Sequence, residues 1–219
     1  MKSTARAVLA LFFSVCALFN FAAAADDAKG SAGEAVQRIT FYRDEATKLS
    51  SSEVFKELER QRSIQMLKNQ NAKNIFAMDD DTYKAAGYAA ALESRRKTDE
   101  PAAAFFYGVY NTRICNGLQS VDKGQLSDGV KKCWLDSLAS FKVASNAQIA
   151  AASFNIAKMY EGGSGVMPSK LVAADWYVKA ADQYNREGAR DEALTSVEAA
   201  LNSVPDFPAA LRLKQAMLK

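Results

Sequence analysis

The sequence predicts an all-α chain: a short α-solenoid of helix-turn-helix hairpins behind a helical N-terminal region. Three observations carry that prediction. From Val130 onward, apolar residues recur in steps of three and four, the signature of one buried face on each helix. All four prolines, Pro101, Pro168, Pro205 and Pro208, stand where these patterns break, as suits a residue that lacks an N–H and starts or stops helices. No competing two-residue alternation of apolar and polar residues marks a half-buried strand.

The elements follow in order. Residues 1–25 read as a cleavable export signal. Lys2 and Arg6 precede the apolar run Ala7 to Phe21, and Ala23-Ala24-Ala25 supplies small residues before Asp26-Asp27, so cleavage is expected after Ala25. The run falls short of the roughly 20 residues of a spanning helix, and no second long run follows. The expectation is therefore an exported protein, periplasmic or secreted, with no stable membrane insertion after cleavage. Cys16 follows Val15, where a lipobox wants a small residue, so lipidation is not expected.

Residues 26–33 carry no apolar pattern and read as a flexible leader. A helical N-terminal region spans 34–98. Its first helix places Ala35, Ile39, Tyr42, Ala46 and Leu49 on one face; Ser50 and Glu53 form a capping box that starts a second helix around Val54, Phe55 and Leu58. The polar, Asn-rich stretch from Lys68 to Asn74 predicts a break, after which Asp79-Asp80-Asp81 offers N-cap residues to an Ala-rich helix through Tyr83, Ala86, Ala90 and Ala91.

Residues 99–219 read as the solenoid. The stepped sets are Val130, Cys133, Trp134, Ser137, Leu138, Phe141; then Ile149, Ala152, Ser153, Ile156, Ala157, Tyr160; then Ala173, Trp176, Tyr177, Ala180, Ala181, Tyr184. After Pro208, Ala210, Leu211 and Leu218 with Lys214 and Lys219 read as a closing helix, apolar inside and basic outside.

Residues 156–166, Ile-Ala-Lys-Met-Tyr-Glu-Gly-Gly-Ser-Gly-Val, followed by Ala173-Ala174-Asp175-Trp176-Tyr177-Val178-Lys179-Ala180-Ala181, closely resemble one Sel-one-like repeat, the longer relative of the tetratricopeptide repeat. Ala157 and Tyr160 lie on its first helix, which Tyr160 is expected to end. Gly163 and Gly165 allow the unusual backbone of the connection, Val166 plugs it, and Trp176 with Ala180 packs the second helix back. Ser169 stands where the family usually has an acidic residue, and Val172 where it usually has Lys. Overlapping this, Tyr177, Ala180, Ala181, Tyr184, Gly188, Ala193, Val197, Ala200 and Pro205 reproduce the spacing of a tetratricopeptide repeat. The best match covers residues 152–205. Upstream, Trp134 precedes Trp176 at an offset of 42, and Tyr110 precedes Tyr160 at an offset of 50. Ala102 to Val143 therefore reads as a degenerate copy, with an inserted connection from Asn111 to Gly129 between its helices.

The chemistry is narrow. The chain has no histidine, which removes His-based triads, proton shuttles and His-ligated metal sites. Without Lys2 and Arg6 the balance is 26 basic against 25 acidic residues, so there is no basic footprint for nucleic acid. Two cysteines remain after signal removal, Cys115 and Cys133. In an exported chain an even pair reads as a disulfide, in preference to a metal pair lacking His or a thiol redox motif. Such a bridge stabilises by roughly 3 kcal/mol and would staple the inserted connection to the second helix of its hairpin.

Other strings are weighed and set aside. Ser94 to Lys97 and Ser120 to Lys123 are Ser-x-x-Lys strings, and Ser127-Asp128-Gly129 faintly resembles a second motif of penicillin-recognising enzymes. No Lys-Thr-Gly follows them. Asp79-Asp80-Asp81 lacks the Gly and distal Glu of an EF-hand loop, and Gly162 to Gly165 has neither the Lys-Ser/Thr nor the strand of a phosphate loop. The aromatics Phe105, Phe106, Tyr107, Tyr110, Trp134, Trp176, Tyr177 and Tyr184 read as core between stacked helices.

The expected function is that of a non-catalytic, exported protein–protein interaction adaptor with no cofactor and no metal. The resemblance places its binding face on the concave side, at Asp175, Val178, Asp182, Asn185 and Arg186. Relatives that grip a C-terminal carboxylate use Lys and Asn at such positions, and Val178 and Asp182 do not suit that chemistry. Two alternatives belong to other classes: an envelope enzyme or peptidoglycan- or β-lactam-binding protein, as some Cys-containing Sel-one-like proteins are, and a structural subunit of an envelope assembly. So few repeats also favour a partner or self-association.

Overall fold

The computed structural model describes residues 31–69, 80–98, 100–121 and 127–218. The expected signal peptide, residues 26–30 of the leader, most of the Asn-rich break, Asp79 and Lys123 lie outside the described residues. Among the described residues the chain forms nine helices and no strand: α1 Ser31–Ala46, α2 Ser51–Asn69, α3 Asp80–Lys97, α4 Pro101–Val121, α5 Asp128–Asn146, α6 Ala150–Gly162, α7 Lys170–Arg186, α8 Arg190–Ser203 and α9 Pro208–Met217. None of them is long and apolar enough to cross a membrane. α1 begins inside the stretch read as leader; Glu34 in its first turn complements the helix dipole there. Every proline sits at a helix boundary, with Pro101 and Pro208 opening α4 and α9.

The chain divides into two compact units. The first takes residues up to Tyr110 with Asn116–Gly124, the second Asn111–Cys115 with Gln125–Lys219, so α4 contributes to both.

In the first unit, α3 packs on both α1 and α2. Ile39, Ala46, Val54, Leu58, Ala86, Ala90 and Ala91 are buried, as the spacing predicts, and Leu92 is buried with them. The capping box forms: Glu53 accepts from the Ser50 N–H at 2.8 Å, and the Glu53 N–H donates to Ser50 Oγ at 3.3 Å. Gly87 lets α3 approach α1, since a Cβ there would stand 2.6 Å from Tyr42 Cβ. Polar contacts complete the unit. The Arg95 guanidinium donates to the carbonyls of Ala46 (2.9 Å) and Leu49 (2.7 Å) and to Ser51 Oγ (3.1 Å). It thereby satisfies the Leu49 carbonyl, just past the end of α1, and adds a second donor to the Ala46 carbonyl, which also accepts from the Leu49 N–H at 3.1 Å. Glu57 accepts both arms of Arg60, at 2.6 and 2.8 Å, with Gln61 at 2.8 Å and Lys84 at 2.9 Å. The Arg60 bonds hold its carboxyl down at about 2, against the opposing effect of burial.

The second unit is built on α7, which packs on α6 and α8; α5 packs on α6, and α9 on α8 and α7. Its core cluster is dominated by alanines, Ala157, Ala173, Ala174, Ala181, Ala193, Ala200 and Ala210, around Tyr177 and Val197. Small residues at facing positions let helix backbones come close, and Tyr177 fills what they leave. Ser145, Ser153 and Gln183 form a buried chain across α5, α6 and α7: the two serine hydroxyls lie 2.7 Å apart, Ser153 Oγ donates to Gln183 Oε1 at 2.5 Å, and Gln183 Nε2 donates to the Ser145 carbonyl at 3.0 Å. Satisfied in this way, buried polar groups specify the helix register without an unpaired penalty.

One feature of this unit recurs along the chain. Ser127 caps α5 by accepting from the Val130 N–H, and Ser169 caps α7 by accepting from the Val172 N–H, the same device at the offset that separates Trp134 from Trp176. The inserted connection, however, takes a different form from the one expected. α4 continues without interruption through Val121, so Tyr110 lies within a helix and Cys115 sits on α4, not on a loop. α4 has 21 residues against 13 in α6, and that excess of eight equals the difference between the two sequence spacings, 50 and 42. The extra residues are two further helical turns. The reason is local: residues 111–116 hold no glycine to take the positive φ that ends α6 at Gly163 (φ 70°). α6 likewise runs two residues past Tyr160, whose carbonyl accepts from the Ser169 N–H at 2.9 Å.

Cys115 and Cys133 form a disulfide with Cα atoms 5.6 Å apart. The bridge therefore links α4 directly to α5. Asn111 reinforces it, its side-chain amide donating to the Cys133 carbonyl at 2.9 Å and to Ser137 Oγ at 3.1 Å.

Candidate functional site

A groove of about 530 Å³ opens on the surface of the second unit between α7 and α9. Its α7 wall carries Asp175, Val178, Lys179 and Asp182; its α9 wall carries Ala209, Arg212, Leu213 and Ala216. The two walls are the same four positions read twice. Asp175 pairs with Ala209, Val178 with Arg212, Lys179 with Leu213 and Asp182 with Ala216, every pair at one and the same offset along the chain.

The walls are held from behind. On α7 the opposite face carries Ala173, Ala174, Tyr177 and Ala181, all buried. Tyr177 donates its hydroxyl to Glu161 at 2.9 Å, and Ser203 donates to the other oxygen of the same carboxylate at 3.0 Å, so one carboxylate ties α6, α7 and α8. Burial first, and that Glu161 bond second, push the Tyr177 hydroxyl pKa well above its ordinary 10.0. The α9 wall is set by Ala210 and Met217, which are buried, and by the Arg190 guanidinium, which donates to the Met217 carbonyl.

Val178 and Leu213 are half-buried against the core and form an apolar floor. The charges differ in their engagement. Asp182 pairs with Arg186 at 2.6 Å, and Lys179 Nζ lies 4.6 Å over the Trp176 ring. Asp175 and Arg212 are exposed, and among the described residues neither has an ion pair or side-chain hydrogen bond.

Of the five residues placed on the binding face by sequence, Asp175, Val178 and Asp182 line this groove together. Asn185 and Arg186 are exposed further along α7 and are not among its lining. Sequence reasoning missed the whole α9 wall. The signal was the constant offset itself, hidden because Leu211 and Leu218 stand where α7 carries the aromatic motif residues Tyr177 and Tyr184.

The residues that carry the repeat resemblance lie as follows. Ala157, Ala180, Ala181, Ala193 and Ala200 are buried, Tyr160, Val166, Trp176 and Tyr184 half-buried, and Pro205 exposed in the turn after α8. Gly163, Gly165 and Gly188 have φ of 70, 71 and 78°. Gly165 is doubly constrained, because a Cβ there would collide with Trp134 Cβ. Gly162 to Gly165 is thus the turn that ends α6.

The serine strings occupy ordinary helical places. Ser94 is exposed on α3, where the neighbouring Lys97 pairs with Glu93 at 3.1 Å; Ser120 donates to the Asn116 carbonyl at 2.9 Å; Ser127 is the N-cap of α5. Asp80 accepts from the Tyr42 hydroxyl, whose pKa that bond raises to about 12, and pairs with Arg38 at 3.7 Å. Among the described residues no three acidic or Cys side chains gather where a metal ion could be held.

Comparison with family models, with curated proteins and with solved structures returns no match.

Proposed function

We propose that the second unit is a short helical-repeat interaction module and that its α7–α9 groove binds a segment of a partner protein. The observation that carries this reading is the pairing of the groove's walls at a constant offset. That offset equals the period of tetratricopeptide repeats, about 34 residues. Equivalent helices of successive hairpins then stand side by side and leave a channel, the usual way such arrays make a binding surface. The paired caps at Ser127 and Ser169 and the matched lengthening of α4 support a second, divergent copy upstream. The protein works by surface complementarity, without turnover, as an exported adaptor in the cell envelope, and the Cys115–Cys133 bridge suits an oxidising compartment.

The test fills the groove without touching the core. Ala216 is exposed, so Ala216→Trp should leave the far-UV circular dichroism unchanged. In crosslinked pull-downs from envelope extract, a partner recovered with the parent chain should be lost with this variant. Recovery undiminished by a blocked groove sinks the reading.

A further inference from the structure

The groove presents one acid and one base that nothing in the described chain satisfies. Asp175 on the α7 wall and Arg212 on the α9 wall are both exposed and, among the described residues, make neither an ion pair nor a side-chain hydrogen bond. Their counterparts are engaged: Asp182 with Arg186, Lys179 with Trp176. Asp175 and Arg212 stand on opposite walls, and the α9 wall around Arg212 is otherwise built of Leu213 and the small residues Ala209 and Ala216. Between them runs the apolar floor of Val178 and Leu213.

Resting on the interaction reading above, we infer that the groove takes an amphipathic helix of a partner protein with a specific charge pattern. Its apolar ridge seats between Val178 and Leu213, a basic side chain on the α7 flank pairs with Asp175, and an acidic side chain on the α9 flank pairs with Arg212. A ligand carrying only acidic groups is repelled by Asp175 on the α7 wall, and one carrying only basic groups by Arg212 on the α9 wall; such like-charge juxtaposition is how an interface rejects wrong partners. The apolar floor supplies affinity, and the two free charges supply orientation, since a helix inserted in reverse places both of its charges against like charges.

A phage-displayed library of random 16-residue peptides, panned on the full chain, tests this. Selected peptides should combine an apolar helical stripe with a base on one flank and an acid on the other. Asp175→Lys should weaken a selected peptide about three-fold or more, as should Arg212→Glu; both residues are exposed, so neither change disturbs the core. Replacing the peptide's base with Glu should restore binding to the Asp175→Lys chain. If selected peptides bind Asp175→Lys and Arg212→Glu as well as the parent but lose binding to Ala216→Trp, the charge pattern is overturned and the groove stands. Binding that survives Ala216→Trp overturns both, and a library yielding no peptide overturns the proposed ligand class.

Discussion

The two units hold themselves together by different means. In the first, long polar side chains do much of the joining: Arg95 reaches from α3 to the end of α1, and Glu57 gathers Arg60, Gln61 and Lys84. In the second, alanines let the helices approach, Tyr177 and Val197 fill the remainder, and glycine turns with positive φ fix the connections. The lesson concerns legibility as much as stability. Close packing of small residues leaves a strict period in the sequence, whereas a long side chain can reach its partner from several positions and leaves none.

The largest expected effect lies in the second unit. Gly165→Ala must place a Cβ against Trp134 and hold a left-handed backbone, so it should cost about 4 kcal/mol. The chain's two tryptophans, Trp134 and Trp176, both lie in that unit. Tryptophan fluorescence in urea therefore reads it, and an unmoved midpoint would show that the connection is slack. Breaking the Cys115–Cys133 bridge by a double change to Ala comes next, at about 3 kcal/mol by the unfolded-state argument, read the same way with and without reductant.

Gly87→Ala probes the corresponding close approach in the first unit. Its Cβ meets Tyr42 Cβ and the α1 backbone, at 2.6 to 2.8 Å, but the backbone conformation is ordinary and alanine favours the helix. The expected net loss is about 2 kcal/mol, seen in far-UV circular dichroism more than in tryptophan emission. Arg95→Ala should cost about 1.5 kcal/mol by stranding the Leu49 carbonyl and removing the donors to Ala46 and Ser51, and Arg95→Lys should recover only part, because an ammonium lacks the guanidinium fork. An Arg95→Ala chain as stable as the parent would erase the contrast between the units.

The smallest effect is a pH dependence. Glu57 has a folded pKa near 2, below its ordinary 4.5. Its contribution is therefore present above 4.5 and is lost as pH falls through the folded value. The Glu57 side chain is 19% exposed, but its main partner Arg60 is 57% exposed, so solvent screens the pair and the change is modest. A urea midpoint by circular dichroism should fall between pH 4.5 and 2 in the parent, and fall less in Glu57→Gln. Equal acid sensitivity in both chains would remove Glu57 from the account.

Several features were legible before any coordinates. The buried face of α5 includes the whole set Val130, Cys133, Trp134, Ser137, Leu138 and Phe141, because a helix that buries one side must repeat at three and four. The Ser50–Glu53 cap, the four proline boundaries and the positive φ at Gly163 and Gly165 were legible for equally local reasons. The cysteine pairing was expected from the even count left after the expected export signal.

Tertiary structure decided what local rules leave open. The lack of a glycine lets α4 run on, but what its extra turns pack against is set by the fold: Asn111 and Cys115 meet Cys133 and Ser137 on α5. The groove depends on α9 lying beside α7, and a side-by-side relation between helices separated by α8 is a packing outcome that no single helix encodes. Arg212 reads in sequence as one more surface cation. It becomes half of a recognition pair only because folding brings it to the same groove as Asp175 and leaves both without partners among the described residues, since a long-range charge relation is fixed by the assembled backbone and not by spacing along the chain.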